Sequence, residues 1–216
     1  MIERTIETTT HGRYLVGAKQ TGLPLLAGFH GYGESAENEF ERLRSIEGSD
    51  LWITVAIQGL HRFYRRRTDE IVASWMTRQD RVLAITDNIK YTAGVIDAVC
   101  REFSPARTIV LSGFSQGVAM AYRYAANSSR PIRGLISLGG DIPPELDSRA
   151  LARIPSVLIG RGIRDEWYTE EKVQADEQRL RASNVDVKVM VLDAGHEWTP
   201  EFALAASRLL ESIRTE

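Results

Sequence analysis

Cysteine is almost absent from this chain, and its scarcity excludes two kinds of site. The 216 residues include a single cysteine, Cys100, so no disulfide can form within the chain. A zinc site of the CxxC type, or one built from paired Cys and His residues, is excluded as well. Cys100 shares the apolar side of its segment with Ile96 and Phe103, which predicts a packed thiol rather than a reactive one.

Strong net charge and long apolar runs are also missing. The chain has 27 basic and 29 acidic side chains and a formal net charge of −2, which argues against nucleic acid or an anionic membrane as the main partner. The polar N-terminal segment MIERTIETTT lacks the apolar stretch of a secretory signal, and no apolar run reaches transmembrane length. We therefore expect one soluble, cytoplasmic domain spanning residues 1–216, because chains of this size commonly form one domain.

Short apolar runs alternate with longer amphipathic segments along most of the chain. This pattern predicts strands at 23–30, 51–57, 108–114, 132–138, 156–159 and 185–192, and helices at 35–46, 80–103, 116–126, 169–183 and 200–213. Thr5–Glu7 and Tyr14–Val16 flank a turn and predict an antiparallel N-terminal hairpin, whereas 62–79 is predicted as a loop. Continuous apolar strands between helices indicate an α/β fold, a mostly parallel sheet with helices on both faces. Reactive groups in such sheets lie beyond the carboxyl ends of the strands.

One predicted strand end carries the motif G-x-S-x-G. The β-rich run 108–111 leads into GFSQG at Gly113–Gly117, and an alanine-rich helix follows. In the α/β-hydrolase fold this motif forms a sharp turn that exposes a nucleophilic serine, here Ser115. Glycines are needed on both sides of the serine because the chain crosses closely there, and the N–H groups of the helix favour developing negative charge. The alternative is a serine that merely caps the helix.

A serine nucleophile needs a base to take its proton. Four histidines are available: His11, His30, His61 and His196. In the α/β-hydrolase fold the nucleophile, the acid and the histidine follow one another along the chain, and among the histidines His196 alone lies beyond Ser115. It follows the last predicted strand, where a loop can bring its ring over the nucleophile. The competing interpretation is an ordinary surface histidine.

The acid is expected after the preceding strand, within the segment Gly160–Glu166. Asp165 is the best candidate, because a carboxylate there can accept a hydrogen bond from one ring nitrogen of His196 and fix its tautomer. The adjacent Glu166 is the alternative. For each of the two, the competing role is a solvated loop carboxylate.

A glycine-rich turn, HGYGE at His30–Glu34, follows the first buried strand. The fold needs two backbone N–H groups to bind the carbonyl oxygen as it becomes an oxyanion, one from this loop and one from the residue after the nucleophile. We predict that Tyr32 and Gln116 supply them. His30 is expected to order the loop rather than to transfer protons, and the alternative for the whole segment is an ordinary glycine-rich turn.

Together these motifs resemble the phospholipase/carboxylesterase family of α/β-hydrolases, which includes the acyl-protein thioesterases. The matching landmarks are HGYGE at 30–34, Ser74-Trp75, GFSQG at 113–117, Asp165, and GHE at 195–197. The resemblance implies a compact hydrolase without a large cap domain and without a cofactor or metal. It implies short or medium acyl esters, lysophospholipids or acyl thioesters as small-molecule substrates, and a tryptophan, here Trp75, that lines the acyl pocket.

The chain departs from the family pattern in ways that bear on the substrate. Tyr32 and Glu34 stand where the family often has an apolar residue and an aspartate, and Met76 and Thr77 stand where phenylalanine and aspartate often follow the tryptophan. Bulky aromatics occur in the loops expected to surround Ser115: Tyr32, Trp75, Trp167 and Trp198. We expect the three tryptophans to bind substrate and all four aromatics to narrow the site, which predicts short acyl or aryl esters. The alternative is that they are core or rim residues.

Three functions remain open from the sequence alone. The first is an esterase or thioesterase that uses Ser115, Asp165 and His196. The second is another reaction at the same site, such as peptide hydrolysis, acyl transfer or dienelactone cleavage, and the third is a non-catalytic ligand-binding protein on a hydrolase scaffold. The basic run Arg62–Arg67 is interpreted as a solvated loop, and the alternative is recognition of an anionic group of the substrate. No nucleic-acid partner and no stable membrane insertion are expected, and a homodimer is left open.

Overall fold

Strands and helices alternate along the computed structural model, which describes residues 1–215. The strands are β1 (Arg13–Gly17), β2 (Leu25–Phe29), β3 (Ile53–Gln58), β4 (His61–Tyr64), β5 (Ile71–Ser74), β6 (Ile109–Phe114), β7 (Gly134–Leu138), β8 (Ser156–Gly162) and β9 (Asp186–Leu192). The helices are α1 (Ala36–Ser45), α2 (Arg81–Phe103), α3 (Gln116–Asn127), α4 (Ser148–Leu151), α5 (Glu170–Ala182) and α6 (Pro200–Thr215), and a 3-10 turn spans Ser49–Leu51.

Seven strands form the central sheet, in the order β1-β3-β2-β6-β7-β8-β9. β1 runs antiparallel to β3, and all other neighbours in this sheet are parallel. The register aligns the carboxyl ends of the middle strands, since Phe29 of β2 lies beside Gly113 of β6 and Phe114 of β6 beside Leu138 of β7. The loops that follow these strands therefore leave the sheet at one edge, where such folds place their chemistry.

Helices cover both faces of the sheet, as predicted. α1 and α6 pack on one face, where Leu43 and Phe202 cluster with Leu26 of β2. α2, α3 and α5 pack on the other, where Met120 joins the same cluster as Leu25. Neighbouring residues of β2 thus serve two different cores, because successive side chains of a strand point to opposite faces. A strand buried on both faces must be apolar throughout, and this explains the continuous apolar runs of the sequence.

The predicted fold class is confirmed, with an antiparallel strand at the N-terminal edge of a mostly parallel sheet and no cap domain over residues 1–215. The partner of that antiparallel strand differs from the prediction. Thr5–Glu7 is not a strand, and β1 instead pairs with β3, where Val16 lies beside Val55. Residues 1–12 are exposed, and Ile6 is 91% exposed. A strand there would bury too little apolar surface to offset the entropy lost on ordering it.

The segment 62–79, predicted as a loop, contains most of a second, two-stranded sheet. β4 pairs antiparallel with β5, and His61 lies beside Ser74. The residues of β4 are exposed, so their polar character conceals the strand pattern from the sequence. A bridge between Glu34 and Ala73 joins this hairpin to the loop after β2, which brings the segment after β5 next to that loop.

The longest predicted helix is confirmed. α2 ends at Phe103, and Ser104 follows in a left-handed conformation with φ of 44°. Cys100 packs partly buried against the core of this face, and burial raises the pKa of its thiol. Within residues 1–215, no helix has both the length and the apolar character needed to cross a membrane.

Candidate active site

Ser115 occupies a strained turn between β6 and α3. Its backbone has φ of 53° and ψ of −120°, a combination that side chains rarely adopt. A Cβ on Gly117 would lie 1.9 Å from the carbonyl oxygen of Phe29, and a Cβ on Gly113 would lie 2.7 Å from Cα of Val118. Both positions therefore require glycine. The Ser115 side chain makes no capping hydrogen bond to α3, which removes the main support for the helix-cap interpretation.

His196 and Asp165 form a hydrogen-bonded pair in the loops after β9 and β8. The distance between Nδ1 of His196 and Oδ2 of Asp165 is 2.8 Å. The other carboxylate oxygen, Oδ1, accepts the backbone N–H groups of Trp167 at 2.8 Å and Tyr168 at 3.0 Å. The Asp165 side chain is almost fully buried, whereas Glu166 is exposed. The structure thus places Asp165, rather than its neighbour, beside the histidine.

A pair of glycines after β7 lies against the backbone of Ser115 and against the pair of His196 and Asp165. A Cβ on Gly140 would lie 2.3 Å from the carbonyl oxygen of Ser115. A Cβ on Gly139 would lie 3.0 Å from Cε1 of His196 and 3.4 Å from Oδ2 of Asp165, and Gly139 has φ of 68°. The close approach of these three loops depends on the absence of side chains at both glycines. Sequence reasoning missed this role, although Gly-Gly directly after a buried strand was a visible signal.

The loop after β2 is held by side chains on both of its sides. The backbone N–H of Gly31 donates to Oε2 of Glu34 at 2.7 Å, and the Glu34 carboxylate is paired with both terminal nitrogens of Arg42. His30 lies fully buried, where Nε2 accepts the N–H of Gly59 at 2.9 Å and Nδ1 contacts the carbonyl oxygen of Gly31 at 2.6 Å. Burial lowers the pKa of His30, and because Nε2 accepts an N–H, that nitrogen carries no hydrogen in this arrangement. These contacts fit the predicted ordering role of His30.

The two residues predicted as oxyanion donors, Tyr32 and Gln116, lie in the loop after β2 and at the start of α3. Tyr32 is 62% exposed, and its ring contacts Phe63 with centroids 5.6 Å apart. Gln116 is the first residue of α3, directly after Ser115. The first N–H groups of a helix lack acceptors within the helix, so the backbone donor of Gln116 is of the type that the prediction requires.

The side chain of Gln116 has a contact that the sequence did not reveal. Its Oε1 accepts the backbone N–H of Trp75 at 2.9 Å and the hydroxyl of Ser74 at 3.2 Å, and its Nε2 donates to the carbonyl oxygen of Met76 at 3.0 Å. One amide group therefore fastens the segment after β5 to the residue that follows Ser115. No sequence signal marks this contact, since residues 74–76 and 116 are far apart along the chain.

A cleft of about 240 Å³ opens beside Ser115. Its side-chain walls include Met76, Arg81, Ala119, Trp167 and Lys172. Apolar and charged groups therefore meet in the same small space. Of these, the sequence predicted only Trp167 as a binding residue.

The expectation that four aromatics surround Ser115 requires correction. Trp75 has no exposed surface, and its Nε1 donates to the carbonyl oxygen of His30 at 2.8 Å within the core. Trp198 packs edge-on against Phe202 at a centroid distance of 5.1 Å. Three of the four, Tyr32, Trp75 and Trp198, are not among the residues of the cleft, whereas Trp167, 72% exposed, is. These aromatics lie close to predicted site residues along the chain, but they do not line one common cavity.

Two buried acidic side chains, Glu39 and Asp176, contact residues that pack around the site. Glu39 of α1 has no exposed surface, and burial raises the pKa of its carboxyl to about 7. It pairs with Arg42 at 3.2 Å, and the Arg42 guanidinium lies 4.2 Å from the ring centroid of Phe114, which in turn packs against His196. The face of Glu39 was readable from sequence, since Ala36, Glu39 and Leu43 recur at spacings of three and four.

Asp176 of α5 is the second buried acid, and burial raises the pKa of its carboxyl to about 6. Its Oδ2 accepts the backbone N–H of Ile142 at 3.0 Å and the hydroxyl of Tyr168 at 3.1 Å. One carboxylate thus ties the loop after β7 to the segment that donates to Asp165. Asp176 also lies on a buried helix face, between Val173 and Leu180.

Comparison with known proteins agrees with this architecture. The model of the phospholipase/carboxylesterase family matches residues 70–212, and none of the curated proteins compared matches the chain. Similar solved structures include a carboxylesterase from Mesorhizobium loti (TM-score 0.73, 20% identity, 93% of each chain covered) and a Bacillus cereus carboxylesterase (TM-score 0.71, 18% identity, 94% of each chain covered). Arabidopsis thaliana SOBER1 is similar over 90% of this chain and 98% of its own (TM-score 0.68, 17% identity).

At these identities the solved structures show the fold alone. The family match extends over more than half of the chain and confirms the resemblance noted in its motifs. The chain belongs to the phospholipase/carboxylesterase family of α/β-hydrolases.

Proposed function

We propose that the chain is a serine hydrolase that cleaves carboxylic esters or thioesters of small molecules through Ser115, His196 and Asp165. The observation that carries the proposal is the oriented pair of His196 and Asp165, 2.8 Å apart, in loops that meet the strained turn of Ser115. A serine presented on such a turn, beside a histidine held by a buried carboxylate, has the parts that acyl transfer needs.

The proposed reaction proceeds through an acyl-enzyme. Oγ of Ser115 attacks the carbonyl carbon while Nε2 of His196 takes the hydroxyl proton. The tetrahedral intermediate collapses, the carbon–oxygen or carbon–sulfur bond breaks, and the leaving alcohol or thiol takes the proton from His196. Water, activated by the same ring, then hydrolyses the acyl group from Ser115.

Asp165 sets the state of the histidine in this proposal. Because Nδ1 of His196 faces the carboxylate, that nitrogen carries the hydrogen and leaves Nε2 free to accept a proton. The two backbone N–H groups on Oδ1 hold the carboxylate in place. We assign Tyr32 and Gln116 as the backbone donors that bind the oxyanion, which develops as the carbonyl carbon becomes tetrahedral.

The dimensions of the cleft favour short acyl or aryl groups. The volume beside Ser115 is about 240 Å³, below the usual range of pockets that hold drug-sized ligands. Met76 and Trp167 supply its bulky apolar surface. Each methylene that does not fit loses about 0.8 kcal/mol of burial, so kcat/KM should fall beyond a defined chain length.

Covalent labelling tests the proposed nucleophile. Ser115→Ala should abolish labelling by a fluorophosphonate probe and lower ester hydrolysis on the order of a million-fold, since loss of a triad nucleophile has an effect of that size. Ser112→Ala is the matched control, because Ser112 lies on β6 with no exposed surface, and this variant should label like the parent. If Ser115→Ala keeps more than about a hundredth of the activity, the nucleophile is another group. A parent protein that neither labels nor hydrolyses any ester would favour the ligand-binding alternative.

A further inference from the structure

The cleft beside Ser115 contains more charge than a neutral acyl group needs. Two cations, Arg81 and Lys172, and one carboxylate, Asp141, line the same space as the side chains of Met76, Ala119 and Trp167. A pocket for a plain hydrocarbon chain gains from apolar walls, whereas cationic side chains there must keep their hydration. The two cations therefore call for a reason beyond acyl-chain binding.

The carboxylates around the cleft form their salt bridges with cations other than Arg81. Asp141 lies 3.8 Å from Nζ of Lys172. Glu145 pairs with the buried guanidinium of Arg123 at 2.7 Å. Among residues 1–215, no acidic side chain forms a salt bridge with Arg81. The Arg81 guanidinium therefore interacts with Glu145 through charge alone and keeps its hydrogen-bond donors free of carboxylates.

Helix stability does not explain an arginine at this position. Arg81 is the first residue of α2, and the first turn of this helix carries no acidic side chain. Asp80, which precedes it, has a left-handed conformation and makes no capping hydrogen bond. The first turn of a helix carries partial positive charge, so a cation there is electrostatically unfavourable. Glu145 attracts Arg81 through its charge without forming a salt bridge with it, and an anion bound directly by the guanidinium would relieve this arrangement further.

We propose that the substrate carries a carboxylate, and that Arg81 binds it in the cleft while Ser115 attacks the ester. The proposal rests on the function proposed above and narrows its substrate class to carboxylate-bearing esters or thioesters. The planar guanidinium matches a carboxylate with two parallel hydrogen bonds. Lys172 adds a weaker attraction, because Asp141 and the carbonyl oxygen of Trp167 already engage its ammonium group.

The test compares esters that differ only in charge. In the first pair, p-nitrophenyl adipate monoester carries its carboxylate on the acyl side, and its methyl ester is the neutral counterpart. In the second pair, 4-acetoxybenzoate carries its carboxylate on the leaving group, and its methyl ester is again the neutral counterpart. For at least one pair, kcat/KM of the parent protein should favour the charged ester about ten-fold or more, the size of a charged hydrogen bond. The preference should decline as salt rises from low to high concentration, because ions screen charges at a solvent-accessible cleft.

Charge-removing variants assign the preference to a residue. In Arg81→Gln the ratio of kcat/KM between charged and neutral esters should fall to about one, and in Lys172→Gln it should fall by less. Arg78→Gln, an exposed arginine that is not among the cleft residues, is the matched control and should keep the parent ratio. Hydrolysis of both neutral esters without a preference for either acid would overturn the proposal, as would a preference unaffected by Arg81→Gln. Absence of any hydrolysis and of fluorophosphonate labelling would instead overturn the proposed function.

Discussion

The two sides of Ser115 are built in different ways. On one side, Asp165 accepts three N–H groups and holds His196 in a single orientation. On the other side, Arg81, Trp167 and Lys172 present exposed side chains to the cleft. Hydrogen bonds from buried backbone restrain the first side, whereas solvent surrounds much of the second. We therefore expect substitutions on the histidine side to lower turnover for every substrate, and substitutions on the cleft side to change substrate preference.

Asp165→Asn gives the largest effect that separates the two sides. We expect kcat to fall about 10⁴-fold, the size that this change has in a serine protease triad, because asparagine favours the wrong histidine tautomer. Steady-state kinetics with a short p-nitrophenyl ester measure the loss. Glu166→Gln is the matched control, since that carboxylate is exposed one residue away, and it should stay near the parent rate. The reverse ranking would make Glu166 the acid.

Glu39→Gln tests the buried support behind the histidine side through stability. The pKa of Glu39 is about 7 in the folded protein against 4.5 for the free side chain. The folded state therefore binds the proton more tightly, so this group favours folding below pH 4.5, and its contribution is lost as the pH rises to 7. A shift of that size corresponds to at most about 3 kcal/mol in the free energy of unfolding.

Urea unfolding of the parent and of Glu39→Gln at several pH values from 4.5 to 8 measures this contribution. The parent should lose stability relative to the variant across the interval, because glutamine does not titrate. Glu41→Gln, exposed on the same helix, should parallel the parent. Parallel curves for the parent and Glu39→Gln would show that Glu39 does not titrate in that range.

Gln116→Ala separates the residue after Ser115 from the segment that carries Met76 of the cleft. The substitution keeps the backbone N–H assigned to the oxyanion and removes the three side-chain hydrogen bonds to residues 74–76. We expect kcat/KM to fall roughly ten-fold, in line with the loss of one or two net hydrogen bonds. The preference for acyl length should broaden, because Met76 is released from its position at the cleft.

A chain-length series of p-nitrophenyl esters measures both effects of Gln116→Ala. Gln174→Ala, which removes an exposed glutamine of α5, controls for the loss of an amide group. An unchanged length profile in Gln116→Ala would mean that the amide does not hold the cleft wall.

Trp167→Ala has the smallest expected effect and acts on the cleft side alone. The indole lines the cleft, whereas the backbone N–H of the same residue holds Asp165 and survives the substitution. We expect a several-fold change in kcat/KM that favours longer acyl chains, at about 0.8 kcal/mol for each additional methylene that fits. Trp198→Ala makes the same chemical change outside the cleft and should leave the length preference unchanged. An optimum of twelve carbons or more in the parent would contradict the short-acyl proposal.

The positions that could be predicted were those that require a particular residue type at a particular spacing. Gly113 and Gly117 admit no side chain because backbone lies within 3 Å of each Cβ position, so the motif around Ser115 is visible in the sequence. The loops of His196 and Asp165 could be placed because parallel strands bring their carboxyl ends to one edge. The prediction that Trp75 lines the acyl pocket failed because the tryptophan is fully buried in the core, whereas the next residue, Met76, reaches the cleft.

The sequence by itself determined the fold class, the family and the residues proposed for the reaction, because apolar periodicity and close-packed glycine turns are local constraints written into residue types. Only the tertiary structure decided which side chains line the cleft, how Gln116 fastens the segment after β5, and which partners the buried carboxyl groups of Glu39 and Asp176 contact. These features join segments far apart along the chain. Their geometry depends on long-range packing, to which many residue types can contribute, and so it leaves no fixed pattern in the sequence.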